Sequence, residues 1–116
     1  MRKTLAAVAL AVLVPVLIAS EASAHGSTYG TSSPCVFAGR AIHGVPGYSY
    51  GQTWDNGSPH CGGWRVVVRE CDGSTVSKTE YDGTATTAIN SSINWSDHYG
   101  LWGGAWYGFH VEHSDC

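Results

Sequence analysis

The chain has 116 residues, a formal net charge of −3, and 13% charged against 43% hydrophobic residues. With six Lys and Arg in all, it lacks the basic surplus that nucleic acid or an anionic membrane surface requires, so neither is an expected partner.

The first 24 residues read as a secretory signal peptide. Arg2 and Lys3 precede an apolar run from Leu5 to Ile18, and Ala22-Ser23-Ala24 supplies the small residues of a cleavage site. The run is too short, and is followed too soon by small residues, to be read as a membrane span. The expected mature chain is secreted, monomeric and single-domain, running for 92 residues from His25 to Cys116. Loss of Arg2, Lys3 and Glu21 takes its net charge from −3 to −4. All four cysteines, Cys35, Cys61, Cys71 and Cys116, fall in this part, which in an exported chain predicts two disulfides.

Residues 25–34, small, polar and glycine-containing, read as a flexible arm. The stapled β domain is expected over 35–116. "CVFAGRAI" (35–42) suggests a first strand. Residues 43–60, with Gly and Pro throughout, suggest loop or short irregular strand around "YSYGQTW". "WRVVVREC" (64–71) is the clearest strand, with Trp64, Val66 and Val68 on one face and Arg65 and Arg69 on the other. Asp72-Gly73 turns the chain into a returning strand at 74–81. After Asp82-Gly83, residues 84–93 are β-prone through Thr and Ile. "NWSDHYGLWGGAW" (94–106) reads as an aromatic, glycine-punctuated loop. A last strand at 105–113 would turn Tyr107, Phe109 and Val111 inward and Trp106, His110 and Glu112 outward. The prediction is an all-β fold, a small antiparallel sandwich or barrel of about six strands.

Four cysteines allow three pairings. An extended 64–71 segment would hold Cys61 and Cys71 roughly 25–30 Å apart, far beyond bridging distance. That leaves 35–61 with 71–116, or 35–71 with 61–116. The first is favoured because it closes the N-terminal loop locally and ties the last residue to the central hairpin.

The order of features resembles the secreted α-amylase inhibitors of the tendamistat type. The matching features are the signal peptide, "SPCV" near the mature start and "DNG" shortly before the second Cys. A Val-rich strand, an acidic turn, a Thr-rich strand and a Cys at the C-terminal end follow. The resemblance implies a six-stranded sandwich with disulfides paired first-to-second and third-to-fourth. The Trp-Arg-Tyr triplet with which that family fills the amylase cleft is absent, the corresponding region reading "YSYGQTWDNG". The third Cys also ends the Val-rich strand instead of following the hairpin turn.

The remaining candidate chemistry is in the rings. Tyr48, Tyr50, Trp54, Tyr99 and Trp102 are the expected binding residues, because a small core cannot bury so many aromatics and flat rings on rigid loops suit recognition. The function expected is a binding protein, not an enzyme, inhibiting an extracellular enzyme of the glycosidase type. Carbohydrate binding by the same rings is the alternative, so the partner is a protein or a polysaccharide. No cofactor is expected in either case. A further alternative is a copper site. "HGS" at the cleavage point resembles the mature start of lytic polysaccharide monooxygenases, in which His25 would chelate through its α-amine and ring, with His43, His98, His110 or His113 as second ligand. Asp55, Glu70 and Glu112 are carboxylates of the kind a glycosidase uses, with nothing in the sequence to pair them.

Overall fold

The computed structural model describes residues 27–45, 48–113 and 115–116. The signal segment and His25 lie outside them. Among the described residues there are eight strands and no helix: β1 (Tyr29–Gly30), β2 (Phe37–Val45), β3 (Tyr48–Asp55), β4 (Gly63–Glu70), β5 (Thr75–Glu80), β6 (Thr84–Ala88), β7 (Ile93–Trp102) and β8 (Ala105–Glu112). They form two antiparallel four-stranded sheets, β1-β2-β3-β6 and β5-β4-β7-β8. In the sandwich β2 packs on β7, β3 on β4 and β6 on β5. The fold is thus the expected all-β sandwich. Of the residues read as an arm, Tyr29 and Gly30 pair with Gly39 and Ala38.

Strand β4 follows its sequence. Trp64, Val66, Val68 and Glu70 are buried, while Arg65, Val67 and Arg69 alternate toward the outside. It pairs with β5 on one side and β7 on the other. The bridges are Cys35–Cys61 and Cys71–Cys116, the favoured pairing.

The segment read as loop or short irregular strand around "YSYGQTW" and the one read as an aromatic loop are both regular strands, β3 and β7, and glycine is the reason in both. In β3, Gly51 faces the interior, where an added Cβ would lie 2.6 Å from Val68 Cγ2. In β7, a Cβ on Gly100 would lie 2.6 Å from both Cys61 Sγ and Phe37 Cδ1. These glycines let the facing sheet come close instead of breaking the strand. The residues that do turn the chain are Gly103 and Gly104, at φ 58° and 82°. With Trp102 paired to Ala105, they make a two-residue hairpin turn that needs left-handed backbone at both positions.

The core is small: Phe37, Ala41, Trp64, Val66, Val68, Ala85, Ile89 and Ile93 around the Cys35–Cys61 bridge. Phe37 stacks on Phe109 and Phe109 on His98, with centroids 5.7 and 5.2 Å apart. A buried polar chain threads this layer. Thr53 Oγ1 on β3 lies 2.8 Å from His98 Nδ1, His98 Nε2 lies 2.9 Å from Ser96 Oγ, and Ser96 Oγ lies 2.9 Å from His113 Nε2. It links the two sheets and satisfies both nitrogens of His98, whose side chain is fully buried. Burial, aided by the neighbouring His113, drives the His98 pKa down to about 3, so the ring is neutral.

Tyr107 keeps its expected inward orientation, opposite Gly100 on β7, but it is 39% exposed and Phe109 is only half-buried. Strand β1, which would lie opposite β8, is two residues long, so this flank of the sandwich is left open. Val111 is buried and His110 and Glu112 are exposed, as expected.

Two outcomes follow. His98 has a folded pKa below its unfolded one, so its contribution to stability is complete above about pH 6.5 and is lost as pH falls toward 3. Urea midpoints measured across that window should drop, by up to about 1.4 kcal/mol per pH unit for the one proton. On the loop-entropy model the separations of 26 and 45 residues give about 3.5 and about 4 kcal/mol for the two bridges. Paired Cys→Ser variants should therefore each lower the urea midpoint markedly, the 71–116 pair at least as much as the 35–61 pair.

Candidate functional site

The expected binding residues are not brought together. Tyr50 and Trp54 sit at alternate positions of β3, on the outer face of the β1-β2-β3-β6 sheet, and Tyr48 begins the same strand. Tyr50 is half-buried, and its hydroxyl accepts a bond from Arg40 Nη2 at 2.8 Å. Tyr99 is on the outer face of the opposite sheet, and Trp102 ends β7 at the hairpin. These residues lie on strands or at a strand end, and a surface uniting all five is ruled out by the sandwich between them.

A different set converges at the end of the β5-β4-β7-β8 sheet next to the Cys35–Cys61 bridge. Tyr81 follows β5, Gly63 opens β4, Trp102 closes β7 and Trp106 lies at the start of β8. Gly63 makes the arrangement possible. A Cβ there would stand 2.9 Å from the Tyr81 ring and 3.1 Å from Trp106 Cη2, so both rings come over the space that a side chain would occupy. The Arg65 guanidinium lies 4.0 Å from the Trp106 ring centroid, a cation–π contact, and Arg65 Nε donates to Thr79 Oγ1 at 2.8 Å. Tyr81 is 64% and Trp102 39% exposed, Trp102 alternating to the side of the sheet opposite Trp106. The end is held rigidly. Gly62 N–H donates to the Leu101 carbonyl at 2.7 Å, and Cys61 packs against Gly100.

Beside this aromatic rim the same outer face becomes polar. Tyr99 lies across Gly108, whose Cβ would fall 2.4 Å from Tyr99 Cδ1. The Tyr99 hydroxyl donates to Asp97 Oδ2 at 3.3 Å, and burial, reinforced by Asp97, raises the Tyr99 pKa. His110 sits between two carboxylates, Nδ1 at 2.5 Å from Asp97 Oδ1 and Nε2 at 2.5 Å from Glu112 Oε2. The bond to Asp97 outweighs partial burial and, with Glu112, lifts the His110 pKa to about 9. At neutral pH this ring is a cation held by two anions, with Trp95 alongside at 5.3 Å.

The other candidates are occupied otherwise. Glu70, buried on the inner face of β4, accepts from the Asn90 and Ser91 amides at 2.9 and 2.7 Å and from both the Ser91 and Ser74 hydroxyls. It fixes the β6–β7 crossing. Asp55 bonds His60 Nδ1 and the Gly57 amide, and the His60 bond leads in lowering its pKa. Of the histidines named as copper ligands, His98 and His113 belong to the buried chain and His110 to the carboxylate pair. No group of three His, Cys, Asp or Glu suited to a metal occurs among the described residues.

Sequence reasoning missed Tyr81, named Arg65 only as an outer-face residue of its strand, and counted Trp106 among the loop aromatics without selecting it as a binding residue. The available signal was local: an aromatic immediately before an Asp-Gly turn, and a glycine one register step away that leaves space for it.

No protein-family model matches the chain, and neither a curated protein nor a solved structure matches it significantly. Fold and site together define a disulfide-stapled β-sandwich with an aromatic rim on one sheet end.

His110 gains stability from its two partners below its unfolded pKa, and that contribution is lost as pH rises through about 9. In an NMR titration its ring signals should move with a midpoint near 9, and Asp97→Asn should bring the midpoint back toward about 6.5.

Proposed function

We propose that the protein is a small secreted binding protein that inhibits an extracellular enzyme of the glycosidase type, with the rim of Tyr81, Trp106 and Arg65 as its contact surface. The single observation that carries this reading is the convergence of Tyr81, Trp106 and Arg65 at one rigid, partly exposed sheet end. Trp, Tyr and Arg are the residue types in which interface energy concentrates, and rigid anchors lose little entropy on binding. The arrangement also bears on the tendamistat-type resemblance. The consecutive Trp-Arg-Tyr triplet is missing, yet one residue of each kind is gathered here from different strands. Two intramolecular disulfides are compatible with an extracellular setting.

The test is inhibition of a panel of secreted glycosidases, α-amylase first, by the oxidised 25–116 chain. Inhibition is expected, and Trp106→Ala or Arg65→Ala should each raise the inhibition constant by about thirtyfold, some 2 kcal/mol. Tryptophan fluorescence titrated with soluble polysaccharides should stay unchanged. A fluorescence response to polysaccharide with no inhibition across the panel would replace this reading with carbohydrate binding.

A further inference from the structure

The four outermost strands of the sandwich are not alike. Strand β1 has two residues and β6 five, and β5 carries Lys78 at the register position of the buried Val66, paired with Glu80 at 3.3 Å. Short length and an inward-placed lysine are the usual guards against edge-to-edge pairing. Strand β8 has neither. It runs for eight residues without proline or lysine, and among the described strands it pairs only with β7. Its inner side is the open flank where Tyr107 is exposed and Phe109 half-buried. Charge is divided along its outer side. The Trp106 end lies under the Arg65 guanidinium, while the other end of β8 carries Asp97, His110 and Glu112, three groups net negative whether or not the imidazole is protonated, with Arg69 at the same level of β4 turned away to Thr75 on β5.

We infer that β8 is a self-pairing edge, and that a second copy of this chain adds its own β8 antiparallel to it about a two-fold axis. Such an axis suits a strand with a positive end and a negative end, because each end meets its opposite. Centred on Gly108, the pairing sets Trp106 with Arg65 against the second copy's His110, and Tyr107 against the second copy's Phe109. Centred on Phe109, it sets Trp106 against the second copy's Glu112, and Tyr107 against the second copy's Val111. Both registers keep outer residues opposite outer ones and cover the flank that β1 leaves open. The two β5-β4-β7-β8 sheets then become one eight-stranded sheet. The pairing shares Trp106 and Arg65 with the proposed inhibitory rim, whereas Tyr107 is outside that rim, so Tyr107→Lys tests the pairing apart from the inhibitor reading.

Sedimentation equilibrium of the oxidised 25–116 chain, from about 1 μM to about 1 mM, spans the affinities expected of so short an interface. A concentration-dependent dimer is expected. Tyr107→Lys, at an exposed position, should raise the dissociation constant by about tenfold or more and leave the melting temperature and circular dichroism unchanged. Hydrogen exchange at the β8 amides should be slowed in the dimer and accelerated in Tyr107→Lys. A monomer throughout the range overturns the proposal, as does a dimer that forms equally well in Tyr107→Lys or whose β8 amides exchange freely.

Discussion

The close approach of the two sheets governs the rest of the molecule. It is set where one sheet presents glycine and the other inserts a ring, a branched side chain or a sulfur. At Gly39 the clearance is smallest, since a Cβ would stand 2.1 Å from His98 Nδ1. Gly51 receives Val68, and Gly100 receives Phe37 and Cys61. A sandwich closed this tightly has little interior volume for large aromatics. Trp64 and Phe37 are accommodated, while most of the remaining Trp and Tyr lie on the outer faces and ends. The aromatic exterior is therefore a packing consequence of the glycine-lined interior.

The same economy of space explains the polar core. Where Thr53, Ser96, His98 and His113 meet, each group bonds to the next, so a narrow interior holds four polar side chains without an uncompensated desolvation penalty. Glu70 shows the same logic at the other end of β4, where backbone amides from the β6–β7 crossing surround its carboxylate. These contacts tie the segment just before β7 to β4, and β7 carries both Tyr99 and Trp102.

The fold was legible where residue pattern and turn chemistry agreed. Trp64 to Glu70 alternates, Asp72-Gly73 turns, and the extended strand between Cys61 and Cys71 removes one disulfide pairing by distance alone. Strands β3 and β7 were obscured because Gly51 and Gly100 resemble loop residues in sequence, while their actual role depends on Val68, Phe37 and Cys61 across the sandwich. The site was less legible for a related reason. Tyr81, Gly63, Arg65 and Trp106 come from separate strands, and only the β5-β4-β7-β8 register makes them neighbours. The aromatic-rich stretches "YSYGQTW" and "WSDHYGLWGGAWY" drew attention to residues that the sandwich then divided between opposite faces.

The two bridges differ in their access to solvent. Cys35 and Cys61 are buried beside the aromatic rim, whereas Cys71 and Cys116 are exposed at the opposite end of β4. A thiol reagent therefore reaches the C-terminal bond first and releases the tail while the other crosslink stays sealed. In a mildly reducing medium the molecule passes through a single-bridged form whose aromatic rim is still clamped by the buried Cys35–Cys61 bond.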